Sequence, residues 1–256
     1  MIKKYKALIL DVDGTLIPNK RDGMPSEKVT KAINKASKLI HIGIASSRPY
    51  FLLKHIFGHL KLSGLSIMNG GAQIIDLNSK KILWERQIDR NDFKNICKIL
   101  DQEKIPYFVH DGEKDIKINP ETAQKAYNIV SIELENHQAE LAMKKIAHIS
   151  TVSIFKVPDW KEDKISFLIS HSEATKQHAI LKIAELLRIN TREIIGVGDG
   201  YNDFPLLMAC GLKIAMGNAV PDLKAIADYI APTVEEDGVA DVINKFVLNT
   251  FEISDS

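Results

Sequence analysis

Cysteine is nearly absent: the 256 residues include only Cys97 and Cys210, far apart and each inside an expected helix. This excludes a disulfide framework and a paired-thiol metal or redox site, and it points to a reducing compartment. Long apolar runs are missing as well. Nothing approaches the roughly 20 residues that a bilayer span requires. The basic start MIKKYK leads into an apolar run over 7–10 that acids follow at once, too short for a signal-peptide core. Charge of one sign is also lacking, since 34 Lys and Arg against 33 Asp and Glu leave +1. No net field therefore draws the chain to nucleic acid or to an anionic membrane, and an anionic substrate must be caught by a local site. Repeats and low-complexity tracts are absent, and the 45% hydrophobic and 26% charged composition is that of an ordinary folded protein. The expectation is a cytoplasmic globular chain, with no sign of its oligomeric state.

Four short apolar runs stand out, over 7–10, 40–45, 194–197 and 213–216. Runs without polar alternation suit strands buried on both faces of a parallel sheet. Helical spacing separates them: 26–38 opens on Ser26 after Pro25 and repeats Val29, Ala32, Ile33 and Ala36, and 50–60 and 175–187 follow the same logic. Further helices are expected over 204–210, 221–227 and 239–248. Strand alternating with helix predicts a doubly wound, Rossmann-like α/β sheet.

Between about 76 and 170 the rhythm changes. Strands are expected over 82–88, 106–110, 115–118, 152–157 and 165–170, and helices over 91–103, 120–127 and 138–147. The alternation in the last two strands fits a sheet with one wet face. The predicted architecture is thus a parallel-sheet core over 1–75 and 171–256, with an inserted α+β cap domain over 76–170, a size usual for a domain.

Chemistry is concentrated just after the apolar runs, where open parallel sheets bind their ligands. Asp11-Val12-Asp13-Gly14-Thr15-Leu16 follows the first run. Two acids at i and i+2 facing one crevice are costly unless a cation neutralises them; oxygen donors suit Mg²⁺. One carboxylate of such a pair is able to act as a nucleophile while the other trades a proton. An Asp/Gly turn closing a strand is the alternative. Gly198-Asp199-Gly200-Tyr201-Asn202-Asp203 follows the third run and adds two more acids. Either pattern arises by chance in a chain of this length on the order of 4% of the time, and both together far more rarely, which favours a divalent-metal site over two unrelated turns. Ser46-Ser47-Arg48 ends the second run and opens a helix, a place for an anion or simply for an N-cap. Lys176 begins another helix, where the helix dipole opposes a cation, and taken alone it reads as surface.

In this order, the four pieces resemble the motifs of the haloacid dehalogenase-like (HAD) phosphohydrolases: DVDGTL the first, Ser46 the second, Lys176 the third and GDGYND the fourth. Asn69-Gly70-Gly71, Ala215-Met216-Gly217-Asn218-Ala219 and Glu236-Asp237-Gly238-Val239-Ala240 are similar to the Cof-type branch, which carries a large α+β cap between its second and third motifs. The likeness covers the core; the cap matches in placement and rhythm only. The resemblance implies a Mg²⁺-dependent phosphomonoesterase acting on a small phosphorylated metabolite, a sugar phosphate or phosphorylated cofactor. Asp11 is implied as nucleophile and Asp13 as acid and base. The metal would rest on the Asp11 carboxylate, the Asp13 carbonyl and Asp199, with Asp203 as ligand or close neighbour, while Ser46 and Lys176 hold phosphoryl oxygens. Arg48, Asn69, Asn202 and Asn218 are implied as orienting residues. The chain departs from the branch at Ser47, where glycine is usual, and this bears on substrate shape or rate.

Other signals carry less. His55 and His59 lie one helical turn apart but lack the glutamate of a zinc protease, so a solvated face is expected. His110, Asp111 and Trp160 are candidates for lining the cleft under the cap. Two further activities stay open: transfer of the phosphoryl group to another hydroxyl, as in a phosphotransferase or phosphomutase, and a non-catalytic phosphate-binding regulatory role.

Overall fold

The computed structural model describes residues 4–20, 22–112, 115–116, 125–159, 161 and 163–249. The elements in chain order are β1 (Ala7–Leu10), α1 (Glu27–Ala36), β2 (His41–Ile44), α2 (Tyr50–Leu60), β3 (Leu65–Met68), β4 (Gln73–Asp76), β5 (Lys81–Glu85), α3 (Arg90–Gln102), β6 (Phe108–His110), β7 (Asp115–Ile116), β8 (Asn128–Leu134), α4 (Asn136–Ile146), β9 (Val152–Pro158), β10 (Ile165–His171), α5 (Lys176–Leu187), β11 (Ile194–Gly198), α6 (Phe204–Ala209), β12 (Leu212–Ala215), α7 (Pro221–Ile226), β13 (Tyr229–Ile230) and α8 (Gly238–Ile243).

The apolar runs become a parallel sheet in the order β13-β12-β11-β1-β2. β1 lies between β2 and β11, with Leu10 level with Ile44 and Val197. Every residue of β1 and β11 is buried, which explains their lack of alternation: helices cover both faces. Ser26 caps α1 by accepting from the Val29 N–H at 3.1 Å, and Val29, Ala32, Ile33 and Ala36 point inward as their spacing requires. Helix α1 packs on α8, and α5 packs on α6. Because strand order reverses at β1, the crevice beyond the carboxyl ends of β1, β2 and β11 is the binding position of a doubly wound sheet.

A second sheet, in the order β7-β6-β8-β10-β9, is antiparallel. It has an apolar cluster of its own, built around Phe93, Ile96, Leu100, Ile129, Ala142 and Phe167; each large side chain buried there contributes about 1.5–3 kcal/mol. A third sheet, β3-β4-β5, adjoins the first through a bridge between Ala45 and Ile67, and Trp84 on β5 packs against the apolar cluster of the parallel sheet. The fold is therefore a Rossmann-like core carrying an α+β cap. Among the described residues no helix is long and apolar enough to cross a membrane.

Some elements differ from expectation. The helix expected over 120–127 is not found in its described part: residues 125–127 are not helical, and 120–124 lie outside the described residues. The central cap strand β8 has no counterpart in the sequence reading. Its neighbours β6 and β10 and the covering cluster bury Asn128, Ile129 and Ser131 alike, so polar and apolar residues do not alternate along it. The strand expected over 82–88 stops at Glu85, and β4 follows the Asn69–Gly71 turn unannounced. Of the strand expected over 115–118, residues 115–116 form β7 and 117–118 lie outside the described residues. Cys210 follows α6 instead of lying within it. Both cysteines are free and buried, and burial pushes the Cys97 thiol up to about 11, so it stays protonated and unreactive.

Candidate active site

β1 ends in the loop 11–16. Gly14 adopts φ +80°, and a Cβ there would stand 2.2 Å from Asp199 Oδ2. Only glycine permits this approach, and it presses the loops after β1 and β11 together. Thr15 Oγ1 donates to Asp199 Oδ1 at 2.9 Å, a link between the two acidic motifs that the sequence reading missed, although Thr15 stands inside the first. Asn218 clamps the same loop: its Nδ2 donates to the Gly14 carbonyl at 2.7 Å, and its Oδ1 accepts from the Val234 N–H at 2.9 Å.

Asp11, Asp199 and Asp203 bring carboxylate oxygens within 4.8 Å of one another. Asp203 is buried and its two oxygens are engaged. Oδ1 accepts from Lys176 Nζ at 2.6 Å, and Oδ2 accepts from the backbone N–H groups of Asp199 and Gly200, each at 3.0 Å. Lys176, 2% exposed, also donates to Asp11 Oδ1 at 2.5 Å. The lysine that taken alone reads as surface, and that the resemblance places among the phosphate-holding residues, is thus the buried cation of the site. Its place at the first turn of α5 opposes the helix dipole, and two carboxylates outweigh that. Burial alone would lower its pKa, yet Asp11 and Asp203 hold it above the ordinary lysine value. Gly71 makes the position attainable: with φ +119°, a Cβ there would lie 2.2 Å from the Thr175 carbonyl carbon, so the 69–71 turn abuts the start of α5.

Asp13 has a different partner. Arg48 Nε donates to its Oδ2 at 2.8 Å and Nη2 donates to its Oδ1, a two-pronged grip from an arginine that is itself buried. Ser46 Oγ accepts from the Arg48 N–H at 3.0 Å, which fixes the turn after β2, and its hydroxyl proton remains available to an anion. Asn202 Nδ2 reaches Ser47 Oγ at 3.5 Å, so the side chain that replaces glycine joins the second motif to the fourth. Asn69 donates to Gln73 Oε1 at 2.6 Å. It lies beside the site through its N–H, which donates to the Arg48 carbonyl.

Electrostatics set the protonation. Burial raises the pKa of Asp11 well above the carboxylate range, Asp203 and Asp199 add to the rise, and Lys176 opposes it. Burial raises Asp13 as well, against the pull of Arg48. Asp199 is pushed up to about 7 by burial and by the Asp203 charge. Fully ionised, the four carboxylates would leave the site two positive charges short of neutrality against Lys176 and Arg48, and the raised pKa values are how the metal-free site avoids this. Oxygen donors with that deficit fit one divalent cation such as Mg²⁺.

The other candidates lie elsewhere. His55 and His59 are exposed on α2, and His59 Nε2 is hydrogen-bonded to Thr30 Oγ1 at 3.1 Å. His110 is buried in the cap and Asp111 is half-buried; Trp160 lies outside the described residues.

The sequence matches the model of the haloacid dehalogenase-like hydrolases over residues 8–162 and 115–243. It is 28% identical to the 5-amino-6-(5-phospho-D-ribitylamino)uracil phosphatase YcsE of Bacillus subtilis, covering 95% of this chain and 96% of that one. The fold is similar to that of a haloacid dehalogenase-like hydrolase from Bacteroides thetaiotaomicron, with a TM-score of 0.82, 21% identity and coverage of 94% and 99%. It is also similar to that of a HAD subclass IIB sugar phosphatase, with a TM-score of 0.78, 21% identity and coverage of 94% and 98%. The chain belongs to the haloacid dehalogenase-like hydrolase family, as an enzyme of its Cof-type phosphatase branch.

Proposed function

We propose that this hydrolase is a Mg²⁺-dependent phosphomonoesterase that frees phosphate from a small phosphorylated metabolite, a sugar phosphate or phosphorylated cofactor, through an aspartyl-phosphate. The observation that carries this reading is the Lys176 bridge to Asp11 Oδ1, which leaves Asp11 Oδ2 as the attacking oxygen. In the first step Oδ2 bonds to phosphorus and the bond to the leaving oxygen breaks, while Asp13 gives that oxygen its proton. In the second, Asp13 takes a proton from water, the water oxygen attacks phosphorus, and the bond to Asp11 breaks to release phosphate. The Ser46 hydroxyl and Lys176 donate to the phosphoryl oxygens, where charge grows in the transition state. Asp11 and Asp199, with the Asp13 carbonyl, would hold Mg²⁺, which when bound neutralises nucleophile and phosphate together. Asp203, with both oxygens committed, positions Lys176 and the Asp199 loop. In this reading 1–75 and 171–256 form the catalytic unit, with β5 packed on it, and the rest of 76–170 is the cover that excludes water and selects substrate. The activity named for the B. subtilis relative, on a phosphorylated ribityl compound, supports a polyol phosphate as substrate.

The test is phosphate release from sugar phosphates, pyridoxal phosphate, flavin mononucleotide, phosphoglycolate and 4-nitrophenyl phosphate, with Mg²⁺ and with excess chelator. Release that requires the metal is expected. Release that survives the chelator, or no release from any compound, would overturn the reading.

Protons and metal compete at Asp199. Its folded pKa of about 7 stands above the ordinary 3.8, so in the metal-free protein it is protonated below pH 7. Mg²⁺ affinity is therefore expected to fall at least about tenfold per unit as pH drops below 7, Asp11 with its raised pKa adding to the loss, with proton release on binding. Stability runs the other way: a raised carboxylate pKa means that the folded state binds the extra proton, so metal-free protein gains stability as pH falls through 7. Titration calorimetry in two buffers of different ionisation enthalpy, with melting curves at pH 6 and 8, checks both signs.

Arg48 acts through Asp13, so its removal should depend on the leaving group. Arg48→Met is expected to lower kcat on an alkyl phosphate about 10- to 100-fold, a share of the usual contribution of general acid catalysis. On 4-nitrophenyl phosphate, whose phenolate leaves without a proton, the loss should stay below about threefold. Equal losses on both substrates would assign Arg48 to phosphate binding instead.

A further inference from the structure

The cap sheet turns one face to its own helices and the other to the core. Val109, Ile129, Phe167 and Ile169 point into the apolar cluster of the cap, so strand alternation directs Asn128 and Ser170 to the opposite face. The register sets them side by side, with His110 opposite Asn128 and Asn128 opposite Ser170. On this face Leu168 touches the core, its Cδ2 lying 3.4 Å from where a Cβ on Gly70 would stand. Gly70 in turn donates its N–H to the Ser46 carbonyl. The polar row therefore meets the core at the turn that adjoins the phosphate-binding serine. Gln73, hydrogen-bonded to Asn69 in that turn, places its Nε2 3.1 Å from where a Cβ on Gly112 would stand, two residues beyond His110.

Asn69, Gln73 and Asn128 are 0% exposed and Ser170 is 1% exposed. Yet Asn69 Oδ1, Gln73 Nε2, both amide atoms of Asn128 and Ser170 Oγ have no hydrogen-bond partner among the described residues. Buried polar atoms left in this state are costly, and native proteins rarely keep several at one contact. These groups combine donors and acceptors and carry no charge, which matches hydroxyl or amide groups and gives a carboxylate no counter-ion.

We infer that Asn128 and Ser170 of the cap, with Asn69 and Gln73 of the core, bind the leaving group of the substrate, and that this group is uncharged and rich in hydroxyl or amide groups. The inference rests on the phosphatase reading and narrows its substrate class. The group enters when Leu168 lifts from Gly70, and it becomes the hydrogen-bonding partner of the row as the cap returns.

The test measures kcat and KM of the full chain and of Asn128→Leu and Ser170→Ala on ribitol 5-phosphate, glucose 6-phosphate, phosphoglycolate and 4-nitrophenyl phosphate, with melting temperatures alongside. Leucine nearly matches asparagine in shape, and Ser170→Ala stands as the second variant should Asn128→Leu not fold. The wild type is expected to prefer a polyol phosphate to phosphoglycolate. Each variant should lose about tenfold or more in kcat/KM on the preferred polyol phosphate, as a lost substrate hydrogen bond does, chiefly through KM, while 4-nitrophenyl phosphate changes less than about threefold and the melting temperature does not fall. A purely structural role would lower all substrates together, and that result, or unchanged kcat/KM on the polyol phosphates, overturns the assignment. Preference for phosphoglycolate overturns the uncharged leaving group. A wild type that hydrolyses none of the four overturns the phosphatase reading itself.

Discussion

Asp11→Asn is expected to abolish phosphate release, by at least about a thousandfold, while raising the melting temperature of the metal-free protein. The first effect follows from chemistry. An amide keeps the shape of the carboxylate and loses the oxygen proposed as nucleophile, and no neighbour replaces it, because Asp13 is held by Arg48 and Asp203 by Lys176 and two backbone N–H groups. The second follows from electrostatics. Asp11 is buried beside Asp199 and Asp203, and burial together with their charges raises its pKa well above the carboxylate range; removing that charge relieves the self-repulsion of the cluster. Activity and stability thus pull in opposite directions at this residue, as they do where a site is strained for function. Steady-state rates and melting curves with and without Mg²⁺ check both signs. A variant that keeps a tenth of the wild-type rate would remove Asp11 from the nucleophile's role. A lowered melting temperature would show that the Lys176 bridge stabilises the fold more than the carboxylate cluster destabilises it.

Lys176→Met should be the most destabilising change in the site, with activity lost as well. The lysine is 2% exposed and bonded to Asp11 and Asp203 at 2.5 and 2.6 Å. Replacing it by an apolar side chain of similar length leaves three neighbouring acids with no cation of their own in a site that water barely reaches. Breaking a buried pair in this way costs about 3–5 kcal/mol, equivalent to a fall of about 6–20 °C in a chain of this size. The loss should shrink as pH falls toward 5, because the freed carboxylates take up protons and shed their charge. Thermal melts of wild type and variant between pH 5 and 8, without metal, measure this difference. A loss independent of pH would mean that packing of the Lys176 side chain, and not its charge, holds α5 in place.

The structure and the sequence divide the information along a physical line. What the sequence determined is local. Apolar runs without alternation fix strands buried on both faces, and acids directly after them must emerge beyond the carboxyl ends of a parallel sheet, so the Asp11 and Asp199 motifs were legible as one crevice before any distance was known. The helix of Ser26 and Val29 was legible for the same reason, since capping and spacing act within a few residues. The cap was legible only as a change of rhythm. Its central strand β8 buries Asn128, Ile129 and Ser131 while Ile132 and Glu133 are exposed, and no periodicity reports polar residues buried alongside apolar ones. What only the tertiary structure decided are pairings across the chain. Lys176 bridges to an aspartate 165 positions away, Thr15 reaches Asp199, Arg48 grips Asp13, and Asn128 aligns with Ser170. Each of these depends on where packed elements come to rest. A lysine at the start of a helix carries the same local signal whether it faces solvent or two buried carboxylates, and only the fold chooses between them.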